Sequence, residues 1–160
     1  MTSLNRRPAQ KNIVHIRPGP VAEARFAKEP IDCFNLFISD VVKEEIFTHT
    51  NAEINRKKID YANITDGSQN NLNYDELNAL FGILILSAAL KDNHLSTKVM
   101  FDVTFSSGRY RATFTERRFS FLLDCLRFDE KDTRQERKKT DKLAAIRQIW
   151  EILIENCKKY

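Results

Sequence analysis

At 160 residues, with only four glycines and four prolines, the chain has the length of one ordinary domain. Its abundance of Leu, Ile, Lys, Arg and Glu favours helices over a turn-rich β-sandwich. The formal net charge of +4 arises within residues 1–30, the remainder being balanced, and no secretory h-region or bilayer-length apolar run is present, which sets aside a membrane role.

Residues 1–20 carry Arg6, Arg7, Lys11 and Arg17 without any apolar period. Arg17-Pro18-Gly19-Pro20 breaks any helix there, because proline fixes φ and removes a donor. A flexible basic arm is expected over 1–20, followed by a helical domain over 21–160. Pro30 to Ile38 reads as a short helix capped by Asp32, with Phe34, Phe37 and Ile38 on one side. Ser39-Asp40 opens a longer helix in which Val42, Ile46, Thr50 and Ile54 step by four. Its acids (Glu44, Glu45) precede its bases (Arg56, Lys57, Lys58), the order that the helix macrodipole favours. Residues 60–72, rich in Gly, Ser and Asn, read as a loop.

Between Ala79 and Leu90 only Gly82 and Ser87 interrupt the apolar side chains. This predicts a helix over 74–90 with no face left for water, the buried centre of the molecule. Asn73 is its expected N-cap, with Glu76 closing a capping box. Farther on, Ser96 caps a short helix holding Val99, Met100 and Phe101, and a turn at Ser106-Ser107-Gly108 leads into Arg109-Tyr110-Arg111. Thr115 then caps a helix striped by Phe119, Leu122, Leu123 and Leu126, with Phe114 stapled against Phe119. Residues 129–142 are almost all charged or polar, which predicts a solvated, mobile loop. The last helix is expected from Asp141, with Leu143, Ile146, Ile149, Trp150, Leu153 and Cys157 inward. Arg147–Glu151 and Glu155–Lys159 would pair on its outer face. No segment alternates as a strand does. The expected fold is all-α, an irregular helical bundle around the 74–90 helix with a basic N-terminal arm.

His15, His49 and His94 lie far apart, and none has a partner at a metal-ligand spacing, so structural or surface roles are expected for them. The three cysteines, Cys33, Cys125 and Cys157, fall in apolar helical patterns and read as buried reduced thiols. No phosphate-binding glycine loop or nucleophile motif occurs, and neighbouring carboxylates such as Asp75-Glu76 diverge by about 100° on a helix. The sequence therefore predicts no catalytic residue, metal, cofactor or small-molecule substrate. One cluster carries chemistry. Arg109, Arg111, Arg117 and Arg118 stand with Tyr110 and Phe114 at the mouth of a helix, against a single acid, Glu116. Guanidinium groups near a helix N-terminus attract phosphate. The competing reading pairs some of these arginines with the acidic residues of 129–132 or with Asp102.

The order of short motifs resembles the N-terminal half of piggyBac-type transposases. The residues that carry the likeness are Pro18-Gly19-Pro20, Pro30 with Asp32-Cys33-Phe34-Asn35-Leu36-Phe37, and Thr50-Asn51. They continue with Glu76-Leu77 leading into Gly82-Ile83-Leu84-Ile85, then Arg118-Phe119, Leu122-Leu123 and Leu126-Arg127-Phe128-Asp129. Asp141-Lys142-Leu143 with Ile146-Arg147 completes the series. Ile64-Thr65 and Val99-Met100-Phe101 depart from it, standing where the family has tryptophan-bearing positions. The resemblance implies a helical dimerization and DNA-binding domain that precedes an RNase H-like catalytic domain. It implies double-stranded DNA as partner, a homodimer, and action in the nucleus. Arg109, Arg111, Arg117, Arg118, Arg6, Arg7 and Lys11 are the candidate DNA contacts. The family's catalytic aspartates match no position here, so the expectation is a DNA-binding and dimerization module that is no enzyme. The alternative is a repurposed protein-interaction domain without useful affinity for DNA.

Overall fold

The computed structural model describes residues 19–59, 67–104 and 106–160. Arg6, Arg7 and Lys11, with nearly all of the expected basic arm and the 60–66 part of the expected loop, lie outside them. Every regular element among the described residues is helical, so the all-α expectation holds. After a 3-10 turn at Ala22–Arg25 come α1 (Pro30–Phe37), α2 (Asp40–Lys58), α3 (Tyr74–Ala89), α4 (Thr97–Met100), α5 (Gly108–Thr113), α6 (Glu116–Cys125), α7 (Lys131–Arg137) and α8 (Arg147–Lys159).

Local chemistry sets most boundaries. Pro30 opens α1, where its missing N–H costs nothing. Asp32 is not the cap itself. From the third helical position it accepts the backbone N–H of Lys28 and Glu29, at 3.2 and 3.1 Å, and closes a capping box with Glu29. Asn73 accepts the N–H of Glu76 at 2.8 Å, Ser96 that of Val99 at 3.4 Å and Thr115 that of Arg118 at 3.2 Å. α3 ends in a Schellman motif, Asp92 N–H donating to the Ser87 carbonyl and Lys91 N–H to that of Ala88. Lys91 occupies the left-handed position there, at φ 61°.

Val42, Ile46 and Ile54 of α2, Leu77, Leu80 and Ile83 of α3, and Phe119, Leu122 and Cys125 of α6 share one buried cluster, closed by Met100, Phe101 and Tyr110. α2 is its hub, packing on both α6 and α8, while α8 also covers α1. Hydrogen bonds between distant segments lock these contacts. The Thr50 hydroxyl accepts the N–H of Arg127 at 3.2 Å, and Asn156 Nδ2 donates to the Phe37 carbonyl at 3.0 Å.

Four expectations need correction. α3 is not sealed from water. It buries one stripe, Leu77, Leu80, Ile83 and Ser87, and leaves Gly82, Ala88, Ala89 and a 54% exposed Ile85 outside. Only part of the outer side is covered, by Phe34 of α1 against Phe81 with ring centroids 6.1 Å apart. Residues 129–142 are not a loop throughout, because buried Asp129 accepts from the guanidinium groups of Arg134 and Arg137 and so anchors α7. α8 begins at Arg147 rather than Asp141, whose carboxylate instead accepts two 2.8 Å bonds from Arg147. Its packed side is Ile149, Ile152 and Asn156, whereas Leu143, Ile146, Trp150 and Cys157 are exposed, and Glu155 pairs with Lys158 at 2.6 Å. Of the three free thiols, only Cys125 is buried. Burial raises its pKa, against the opposing charge of Lys57.

Candidate nucleic-acid interface

The arginine cluster sits where α5 turns into α6. Aromatic packing fixes that corner from inside. Phe119 lies 5.2 Å from Phe101 and 6.2 Å from Phe114, and Phe101 lies 6.0 Å from Tyr110, between ring centroids. Tyr110, wholly buried, donates its hydroxyl to Asp92 Oδ2 at 2.8 Å and ties α5 to the turn that ends α3. Burial and the bond to the Asp92 carboxylate push its pKa up to about 12, so it remains a donor at neutral pH.

With Tyr110 and Phe114 turned inward, Arg109 and Arg111 are exposed on α5. Among the described residues no acid pairs with either guanidinium. The acidic stretch is occupied elsewhere, Asp129 by Arg134 and Arg137 and Asp132 by Arg56 at 2.9 Å. Arg117 is exposed beside them and already engaged in an interaction.

Arg118 behaves differently and is removed from the candidate contacts. It is 8% exposed. Its Nε and Nη2 each donate to one Glu76 carboxylate oxygen at 2.6 Å. Nη1 donates to the carbonyls of Ser68 and Asn70, both at 2.8 Å, and Nη2 also reaches that of Asn71 at 3.5 Å. A guanidinium has five N–H groups, and these bonds use all of them. Glu76 in turn serves Arg118 rather than the capping box expected of it.

Sequence reasoning left loop 67–73 without a role. The structure makes it one wall of a cleft of about 650 Å³, facing the start of α3 and the Thr113–Thr115 corner, with Asn70 and Asn71 along it. Arg117 lines an adjoining cleft of about 510 Å³ with Gly67 and Ser68. The signal available in the sequence was Arg118 itself, a charge beside a core phenylalanine that had to find a partner. Among the described residues, no three His, Cys, Asp or Glu side chains gather as metal ligands.

The family model described as Transposase IS4 matches residues 29–160. Among solved structures, the chain resembles the piggyBac transposase of a synaptic complex with hairpin DNA, determined by cryo-electron microscopy. The two are 38% identical, with a TM-score of 0.78 and 87% of this chain covered. The chain spans 28% of the length of that transposase. No curated protein matches. The match corrects the expectation of a chain that is no enzyme, since transposases are catalysts of DNA cleavage and transfer. With residues 29–160 under the family model and a solved relative at 38% identity, the chain belongs to the piggyBac-like transposase family.

Proposed function

We propose that this helical chain holds double-stranded DNA within a piggyBac-like transposase, contacting phosphates through Arg109 and Arg111, with Arg117 beside them and Arg6, Arg7 and Lys11 adding charge. The observation that carries the reading is the likeness to a transposase determined on hairpin DNA. The choice of surface follows from the two exposed guanidinium groups that no acid neutralises among the described residues. In this reading the chain pairs with a second copy and acts in the nucleus. Binding is electrostatic in the main, because each phosphate neutralised releases condensed counterions, and affinity therefore falls as salt rises.

Fluorescence anisotropy of the full chain on a labelled duplex, at about 50 and about 200 mM salt, tests this. Arg109→Ala with Arg111→Ala is expected to weaken binding at least about ten-fold at the lower salt and to reduce the salt slope by about two. Both side chains are exposed, so stability should change by no more than about 0.5 kcal/mol. Unaltered affinity and slope would remove the assigned surface. A second reading, a protein-docking module, draws on the apolar groove between α1 and α3. Sedimentation showing a dimer, without any salt-sensitive binding to DNA, would favour it.

A further inference from the structure

A polar loop between helices is ordinarily the least constrained part of a domain. Loop 67–73 is held from beneath at several successive residues. Arg118 takes the carbonyls of Ser68, Asn70 and Asn71. Asn51 of α2 then clasps Leu72 on both sides, Nδ2 donating to its carbonyl at 3.1 Å and Oδ1 accepting its N–H at 2.8 Å. The Leu72 side chain is buried. With the main chain tied inward, the side chains of Asn70 and Asn71 are exposed. Among the described residues the Asn70 amide makes no hydrogen bond, and Asn71 uses only Oδ1, which accepts Lys58 Nζ at 2.5 Å.

Main-chain groups, the carbonyls together with the Leu72 N–H, tie this loop to Arg118 and Asn51, and the Asn70 carboxamide takes no part. A carboxamide offers a donor and an acceptor side by side, the pattern complementary to N7 and the 6-amino group of adenine in the major groove. Lysine and arginine cannot present that pattern, because they have no acceptor. The amides also stand next to the basic corner, since Asn70 and Asn71 share their cleft with Thr113 and Thr115, and Arg117 adjoins Gly67. A rigid mount beside phosphate-binding groups is what discrimination among bases requires, because a loose amide would adjust to any of them.

We propose that Asn70, with Asn71 beside it, reads base edges of duplex DNA, preferring adenine, while Arg109 and Arg111 hold the phosphates. This rests on the DNA-binding reading above and adds sequence preference to it. The test presents the full chain, and separately Asn70→Ala with Asn71→Ala, with a pool of random-sequence duplexes through several rounds of capture and sequencing. The unsubstituted chain is expected to enrich a motif containing A·T pairs. The double variant should bind the unselected pool within about two-fold of the unsubstituted chain, with the same salt slope, yet enrich that motif about ten-fold less. Replacing the motif's adenines by 7-deazaadenine, which lacks the N7 acceptor, should weaken the unsubstituted chain about ten-fold and leave the variant unchanged. Equal enrichment by both proteins, or salt-sensitive binding without any motif, overturns this proposal and leaves phosphate binding standing. Absence of salt-sensitive binding overturns both.

Discussion

Glu53 shows how one side chain can organise its surroundings. It is 1% exposed, yet Arg56 reaches it at 2.6 Å, Arg127 at 3.0 Å and Lys131 at 2.7 Å, so α2 is tied to the end of α6 and to α7. Burial alone would raise its pKa. The hydrogen bond from Lys131, the charges of Arg127 and Lys131 and the bond from Arg56 together outweigh it and hold the carboxyl below its ordinary 4.5. Asp129 follows the same pattern, burial opposing and Arg134 with Arg137 prevailing. The sign is then fixed. An unfolded Glu53 takes up a proton before the folded one does, so its contribution is complete above about 4.5 and disappears as pH falls through the lower folded value. Glu53→Gln is expected to cost about 2 kcal/mol at neutral pH, below the full penalty for breaking a buried pair because the stranded cations can rehydrate. Urea unfolding at a series of pH values between 3 and 7 reads both effects. The variant's acid limb should be flatter, with Asp129 and Asp141, whose carboxyls are also held low, supplying slope that remains, and an identical limb in both proteins would show that Glu53 is not the linked group.

Elements were legible where their signals are local. Asn73, Ser96 and Thr115 cap the helices that their sequence positions indicated, and Phe114 packs on Phe119 as a staple should. What sequence could not show was pairing at a distance. Arg118 and Glu76 are 42 positions apart, so an arginine at a helix start looked free for phosphate when it was committed inside. α7 was missed for the same reason, since a run of charges reads as solvated until Asp129 is seen buried beneath it. α3 failed differently. Apolar content shows that a helix can be buried, not how many neighbours are present to bury it. The end of α3 carries a stress that can be measured. Lys91 holds a left-handed conformation that glycine accepts freely and that costs an L-residue about 1–2 kcal/mol. Its neighbour Asp92 receives the Tyr110 hydroxyl, so the same turn supports α5 and its arginines. Lys91→Gly is expected to stabilise the protein by about 0.5–1 kcal/mol, because relief of strain exceeds the extra freedom glycine gains on unfolding. A rise of a few degrees in melting temperature supports this, and a fall would mean that Lys91 contributes contacts larger than its strain.

At the scale of the whole molecule, α3 separates two unlike surfaces. Asp75, Glu76 and Ala79 face the polar cleft beside the basic corner. Phe81, Gly82 and Ile85 face a groove of about 490 Å³ completed by Pro30, Ile31 and Phe34 of α1, with Ile31 57% and Ile85 54% exposed. Contiguous apolar surface of this kind binds hydrophobic dyes and attracts other chains. Phosphate contacts depend on charge and apolar docking on area, so the two surfaces should respond to different substitutions. Ile31→Ser with Ile85→Ser is expected to remove most of the fluorescence of bound 8-anilinonaphthalene-1-sulfonate. It should alter stability by less than about 1 kcal/mol, since over half of each side chain already meets water in the folded state. The salt dependence of the proposed DNA binding should stay the same, whereas Arg109→Ala with Arg111→Ala should do the reverse, lowering the slope and sparing the dye signal. Undiminished fluorescence in the isoleucine variant would shift the exposed apolar surface to the groove formed by Phe128, Ile146, Ile149, Trp150 and Leu153. A change in salt slope in that variant would show that the two sides of α3 communicate, and that the basic corner depends on how α1 and α3 are packed.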